Sequence, residues 1–331
     1  MWNRFAICLL PLALCVAIAP VHAQTQAGPG AAVEEKFPTR PIRLMVGFAP
    51  GGGTDIAARI IAPKMGELIG QTVVVENRPG ANGDIASAAL IRSAPDGYTI
   101  LLASIGSLAI NSHMPGGTPF NPLKDFSFLS LGVYFPNILV VKAESGIKTL
   151  QDYIAAGKSN ETEVFFGSSG SGSTGHLAGE LLKARSGMYA QHVNYKGGGP
   201  AMTDLLGGNT DAVVASAPTA VPLVQTGKLT ALAVTGAVRA RALPDVKTVA
   251  EQGFPGFDAV NWYAFVAPPE TPRPIVDKLN AAIVGALKDP GTIEKLANVG
   301  METDPSTPEQ MAAYVKKQYD LWGDVVKTIK F

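Results

Sequence analysis

Short apolar runs rich in branched residues recur along the chain and read as buried strands: Ile42–Phe48, Thr72–Glu76, Thr99–Ser104, Ile138–Lys142, Val164–Gly167, His192–Tyr195, Ala212–Ala215, Ala231–Thr235 and Tyr263–Ala267. Between them the apolar positions shift to helical spacing. Ile56, Ile60 and Ile61 share one face, as do Leu177, Leu181 and Leu182, and later Ile275, Leu279 and Ile283. Strands alternating with helices predict an α/β protein of parallel layers, with helices on both sheet faces. Thr307–Ile329 reads as one long helix, with Thr307 as N-cap and Pro308 in the first turn. Pro63 falls inside the helix that opens near Asp55, and the lost backbone donor predicts a bend or an end there.

One unit repeats in pattern though not in identity: strand, glycine-rich turn, helix. It occurs at Pro50-Gly51-Gly52-Gly53-Thr54-Asp55, at Gly167-Ser168-Ser169-Gly170-Ser171-Gly172-Ser173-Thr174-Gly175, and at Gly197-Gly198-Gly199 before Pro200. A helix N-terminus leaves its first N–H groups without partners and carries roughly +0.5 of an elementary charge. Glycine lets a ligand approach that backbone, so an anion site forms without arginine. Thr54 and Ser173 would add hydroxyl donors. In an open α/β sheet such turns emerge at the carboxyl ends of strands, where ligands bind. Ordinary capping by Thr54 or Asp55, and by Ser173 or Thr174, is the competing account of a single turn. Two such turns in separate halves of the chain favour a ligand gripped from both sides.

Neighbouring residues extend the candidate site. His176 lies in the first turn after the serine-glycine loop, either as a plain polar residue or as a donor to ligand or loop. Asp55 is expected to order its loop rather than meet a ligand ammonium. Tyr195, just before Gly197, would bring its hydroxyl to the cleft rim. Phe48 and Leu108 are possible apolar walls, whereas Trp262 and Tyr263 read as hinge or core aromatics.

Other chemistries find little support. Gly170–Gly175 fits G-x-G-x-x-G, but the next strand ends Asn194-Tyr195-Lys196 without the acid a dinucleotide site wants about 20 residues on. No glycine loop holds G-K-[ST], and Gly167–Ser171 fails the G-x-S-x-G nucleophile pattern at its last position. His113, His176 and His192 have no metal-ligand spacing, so neither a metal nor a cofactor is expected.

Arg4 followed by the uncharged run Phe5–Ala19 and by Val21-His22-Ala23 reads as a cleaved secretory signal over residues 1–23, and residues 24–36 as a flexible tether. Leu14 before Cys15 argues against a lipid-attachment site. Cys8 and Cys15 both fall in that signal, so the mature chain of about 300 residues has no thiol and depends on its core. Lysine plus arginine balances aspartate plus glutamate at 27 each, which gives no electrostatic case for nucleic acid or for a membrane surface. The reading is of a periplasmic protein, a monomer, with no catalytic residues.

Several long motifs carry a resemblance. They include Phe48-Ala49-Pro50-Gly51-Gly52-Gly53-Thr54-Asp55, Val75-Glu76-Asn77-Arg78-Pro79-Gly80-Ala81-Asn82-Gly83, Ala94-Pro95-Asp96-Gly97-Tyr98-Thr99 and Tyr195-Lys196-Gly197-Gly198-Gly199-Pro200-Ala201. Across nearly the whole mature chain the sequence resembles the Bug family, the TctC-like periplasmic receptors of tripartite tricarboxylate transporters. The resemblance implies a two-lobed periplasmic binding fold, type II-like, a Venus flytrap with its ligand cleft between lobes. Lobe 1 would comprise 37–136 plus 258–331 and lobe 2 residues 137–257, with crossings near Tyr134–Ile138 and Pro255–Ala259. It also implies a carboxylate ligand (a di- or tricarboxylate, acidic amino acid or aromatic acid) and permease subunits as partners. The ligand-binding positions would be Phe48, Pro50, Gly52, Gly53, Thr54, Asp55, Ser168, Ser169, Gly172, Ser173 and His176, with Ser104 and Tyr195 as further contacts. The turn Ser104-Ile105-Gly106-Ser107-Leu108 departs from the family pattern, a change that bears on which ligand fits. An exported α/β enzyme, hydrolase or dinucleotide-dependent, and a sensor partner uncoupled from transport are the alternatives.

Overall fold

A computed structural model describes residue 2, residues 37–159 and residues 163–327. Apart from residue 2, the expected signal segment and tether, and Thr328 and Ile329 of the expected last helix, lie outside the described residues. The strands are β1 (Ile42–Val46), β2 (Val73–Asn77), β3 (Thr99–Ser104), β4 (Ser127–Lys142), β5 (Phe165–Ser168), β6 (Gln191–Asn194), β7 (Ala212–Ser216), β8 (Leu229–Val234), β9 (Val260–Ala267) and β10 (Glu302–Thr303). The helices are α1 (Gly53–Ile69), α2 (Asp84–Ile91), α3 (Leu150–Lys158), α4 (Thr174–Ser186), α5 (Gly198–Gly207), α6 (Ala217–Gln225), α7 (Arg273–Lys288), α8 (Pro290–Asn298) and α9 (Pro308–Lys327).

The sheet runs β2-β1-β3-β9-β4-β7-β5-β6, with β8 and β10 also paired to β4. Each half has a parallel nucleus, β2-β1-β3 in one and β7-β5-β6 in the other. The expectation of purely parallel layers fails between them. β9 lies antiparallel to β3, and β4 is antiparallel to β7, β8, β9 and β10. The physical reason lies in β4, a long strand shared by both halves. Its first part, up to Pro136, pairs with β9, and its last part, from Asn137, pairs with β7 and β8.

Helices cover both faces, as the alternation predicts. α1, α5, α6 and α7 pack their apolar sides into one cluster that runs under both halves, through Ile61, Leu205, Val221 and Leu279. On the other face α2 and α9 bury Leu90, Met311 and Val315, while α3 and α4 bury Leu150, Tyr153 and Leu182. α9 opens with a reciprocal cap: Gln310 N–H donates to Thr307 Oγ1 (3.2 Å) and Thr307 N–H donates to Gln310 Oε1 (2.9 Å).

Pro63 does not end its helix. α1 continues through it to Ile69. Pro63 and Arg59 both lie on the exposed side, so the carbonyl that loses its intrahelical donor faces water.

Candidate functional site

The parallel strands deliver their carboxyl ends to one place. β1 leads through Ala49–Gly52 into α1, β5 through Ser169–Ser173 into α4, β6 through Tyr195–Gly197 into α5, and β7 directly into α6. These four helix N-termini converge on one small cavity. Gly52, Gly53 and Thr54 line it from α1, Ser173 and Thr174 from α4, Gly198 from α5 and Ser216 from α6. The remaining wall is Phe48, Asn82, Ser104, Ile105, Gly106, Ser169, Asn261 and Tyr263. Every lining side chain is neutral. The positive potential comes from peptide dipoles alone, about half a charge per helix.

Gly53 is held to glycine by its neighbours. A Cβ there would lie 2.7 Å from Ser216 Oγ and 2.8 Å from the Tyr263 hydroxyl oxygen. The α1 backbone therefore sits flush against the far wall.

Of the residues expected from sequence, Phe48, Gly52, Gly53, Thr54, Ser104, Ser169 and Ser173 line the cavity. The others lie behind or beside it. Pro50 is exposed at the turn. Asp55 faces away and orders the loop: Oδ2 accepts from Gly51 N–H (2.9 Å), while Oδ1 accepts from Arg59 Nε (2.9 Å) and Asn77 Nδ2 (2.9 Å). Burial alone would raise its carboxyl, but the hydrogen bonds from Arg59, Gly51 and Asn77 outweigh it and hold the group below the usual carboxylate range.

The serine-glycine loop has its own internal scaffold. Ser168 is fully buried beneath it and its Oγ lies 2.7 Å from His192 Nε2. Ser173 donates from Oγ to Ser168 Oγ (3.2 Å) and accepts from His176 N–H (3.2 Å), which makes it the N-cap of α4. His176 Nδ1 accepts from Gly172 N–H (3.1 Å), so its ring supports the loop from within. The Ser173 hydroxyl is thus already engaged, contrary to the simple expectation of a free donor. Thr54 stands beside Tyr263 on the same wall. Ser168 and His192 form a support and not a nucleophile–base pair open to a substrate.

Gly172 abuts Asn111 instead of the cavity, and Tyr195 lines an adjacent space with Phe48, Asn82 and Ser169. The Tyr195 hydroxyl donates to Asp204 Oδ2 (2.8 Å), away from the cleft. Leu108, offered as a wall, belongs to the core, because the chain after Ser104 coils into the π-helical turn Gly106–Ile110. Trp262 is core as expected. Tyr263 departs from that reading: its ring packs edge-on against Phe135 (centroids 4.8 Å apart), yet its hydroxyl reaches the cavity.

Sequence reasoning missed a set of amides and hydroxyls. Asn261 Nδ2 donates to Asn137 Oδ1 (2.6 Å), and Asn137 Nδ2 donates to Thr174 Oγ1 (3.1 Å). This chain ties β9 and β4 to the start of α4. Asn82 Nδ2 donates to Asn111 Oδ1 (2.9 Å), and Asn111 Nδ2 donates to Asp84 Oδ1 (2.7 Å). A polar residue inside an apolar strand run, as at Asn137 and Asn261, was the available signal. Ser216-Ala217-Pro218 was another: it is a strand-to-helix turn with a cap and a proline but no glycine.

His192 makes the loop's support sensitive to acid. Burial first, then the neighbouring His176 and Lys183 charges, depresses its ring to about 3, far below an ordinary histidine. The unfolded chain takes up this proton near pH 6.5 and the folded one resists it. Stability is therefore full above that pH and is lost progressively as pH falls towards 3. We expect this group to cost up to about 2 kcal/mol between pH 7 and pH 5. Thermal midpoints at the two pH values should differ less in His192→Gln than in the unsubstituted protein. An identical difference in both would remove His192 from the account.

A sequence profile described as the tripartite tricarboxylate transporter family receptor matches residues 57–331. Protein BugT of Bordetella pertussis is 37% identical over 294 residues, covering 88% of this chain and 90% of BugT. Two solved structures from Rhodopseudomonas palustris superpose closely. MatC with bound malate gives a TM-score of 0.82 at 31% identity, covering 88% of this chain and all of the MatC chain (100%). Rpa4515 with adipate gives 0.85 at 34% identity, covering 88% of this chain and 98% of that one. These relatives are substrate-binding receptors of the two-lobed periplasmic type, not enzymes. Among the described residues no helix is long and apolar enough to cross a membrane.

Proposed function

The chain belongs to the tripartite tricarboxylate transporter receptor family, and we propose that it captures a small organic carboxylate, a dicarboxylate above all, for the permease subunits of such a transporter. The observation that carries this reading is the meeting of four helix N-termini, one from the β2-β1-β3 half of the sheet and three from the β7-β5-β6 half, around one neutral cavity. A carboxylate held by backbone N–H groups keeps its charge without a buried counter-cation. Donors on opposite walls suit an anion with a carboxylate at each end. The malate and adipate held by two relatives are of that chemistry.

In this reading residues 37–136 plus 258–331 form one lobe and 137–257 the other, hinged where β4 passes from β9 to β7 and β8. The hinge is knotted by Thr235: its Oγ1 accepts from Asn137 N–H (3.0 Å) and its backbone carbonyl accepts from Ala259 N–H (2.9 Å). Ligand contacts made only when the lobes meet would favour the shut form. The N-terminal segment would direct the protein to the periplasm.

The test is a thermal-shift series on protein unfolded and refolded to strip captured ligand, using di- and tricarboxylates and their neutral amides. At 100 times its dissociation constant a ligand adds about 2.7 kcal/mol, enough to raise the midpoint by several degrees. Shifts with acids and none with amides are expected. Equal shifts with both would sink the anion site.

A further inference from the structure

The strands that cross between the halves border a second recess, and none of its lining residues belongs to the ligand cavity. Of the large apolar side chains left exposed among the described residues, Tyr134, Val238 and Val260 gather here. Single exposed apolar residues are ordinary, but a cluster around a hollow marks a binding surface. Tyr134 and Val260 belong to the crossing strands β4 and β9, and Val238 to the loop that leaves β8. Met301, in the turn from α8 to β10, adds to the apolar lining. The recess holds about 140 Å³. An apolar cavity of roughly 150 Å³ takes one benzene ring, so the space suits a single ring.

Three charged side chains border the recess, and two are already engaged. Arg239 donates from Nε and Nη2 to Glu251 (3.0 Å each) and from Nη1 to the Pro244 carbonyl (3.0 Å). Glu302 accepts from the Tyr134 hydroxyl (2.6 Å). Arg241 is exposed and has no ion pair or side-chain hydrogen bond among the described residues. One ring-sized apolar space beside one free guanidinium matches an aromatic ring with an acid group on its edge.

The recess is also placed to act on the cleft. Pro136 and Val260 directly precede Asn137 and Asn261, whose amides tie β4 and β9 to the start of α4. The loop after β8 moves with one proposed lobe and the α8–β10 turn with the other. The halves meet in this structure where Ala49 N–H donates to the Lys196 carbonyl (3.1 Å), so the recess has the shape that goes with the shut form. A molecule wedged between walls from different lobes binds the two arrangements unequally.

We propose that this recess is an effector site for a single-ring aromatic acid, bound among Tyr134, Val238 and Val260 with its acid group at Arg241, and that its occupancy favours the shut form. This rests on the division into lobes proposed above and concerns a site apart from the captured carboxylate's.

The experiment is fluorine NMR of 4-fluorobenzoate with the refolded protein, beside 4-fluorobenzamide. Saturable broadening of the fluorine line is expected, with a Kd of about 0.1–1 mM for a ligand of this size. Val238→Asp should weaken binding at least about tenfold, and Arg241→Gln about two- to fivefold, with thermal midpoints unchanged. The amide should bind about two- to fivefold more weakly than the acid. With the recess filled, the diacid found by thermal shift should bind about fivefold more tightly, and it should tighten 4-fluorobenzoate by the same factor. Absent broadening, or broadening that survives Val238→Asp, would overturn the site. Competition between 4-fluorobenzoate and the diacid would place the ring in the cleft and overturn it too. An amide bound as tightly as the acid would refute the acid class, and an unchanged diacid affinity would refute the link to closure. Should no diacid bind, the carboxylate reading falls and the link to closure with it, while the Val238→Asp comparison still decides the hinge site.

Discussion

Gly199→Ala is expected to weaken ligand capture sharply while leaving the ligand-free protein as stable as before, or slightly more so. Gly199 lies in the first turn of α5, and a Cβ there would come 2.6 Å from the Pro50 carbonyl oxygen and 3.4 Å from the Gly51 carbonyl carbon. Those atoms belong to the loop after β1, in the other half of the sheet. The same seam holds Ala49 N–H against the Lys196 carbonyl (3.1 Å) and places Gly52 close to the Gly198 nitrogen. Two glycine loops thus meet backbone to backbone along one edge of the cleft, and a methyl group between them has no flexible side chain to displace.

The sign of the effect differs between the two states. With the lobes apart, alanine at a helical position with negative φ gains up to about 1 kcal/mol over glycine. With the lobes together, the overlap with rigid backbone costs about 1–3 kcal/mol or more, and weakens affinity by about 10- to 100-fold. Thermal midpoints without ligand and calorimetry with the best-binding diacid read the two effects separately. A ligand-free midpoint several degrees lower would mean that the loops are fused in all states, and unchanged affinity would mean that their contact plays no part in capture.

How much of this was legible beforehand follows from the range over which each feature is determined. The strands at β1, β3, β5 and β7 and the glycine turns after β1 and β5 are local, written in apolar runs and in residues that free the backbone. Asp55 was legible too, because a carboxylate in the first turn has the loop's amides as its nearest donors. The first part of β4 was not. Register shifts after Phe128 and Leu131, with Gly132 and Pro136 within the strand, break the two-residue alternation that marks a strand. The antiparallel insertion of β9 between β3 and β4 depends on pairing across more than a hundred residues and leaves no local trace. In the site, the hydroxyl of Ser173 reads as a free ligand donor because one strand-to-helix unit contains no information about Ser168. The Asn137–Asn261 pair and Ser216 come together only once both halves are folded.

Asp55→Ala should be the most damaging single change in the binding loop. The carboxyl group is almost entirely buried and is the common acceptor for Gly51 N–H, Arg59 and Asn77, so alanine leaves three donors to find water or go without. Arg59 is half exposed and can resolvate, and Asn77 keeps its bond to the Phe48 carbonyl (3.0 Å). The loss is then about 2–4 kcal/mol, most of it from the Gly51 amide and the charged acceptor, and the midpoint should fall by about 5–10 °C. Ligand affinity should fall as well, since Gly52–Thr54 lose the support that aims their amides. Acid supplies an independent check. The folded carboxyl titrates below its unfolded counterpart, so the stabilisation is complete above about pH 4 and drains away as pH drops through the folded value. The midpoint of the unsubstituted protein should therefore drop more steeply below pH 4 than that of Asp55→Asn, whose amide has no proton to take up in that range. Parallel acid limbs for the two proteins would show that the charge on Asp55 does not hold the loop.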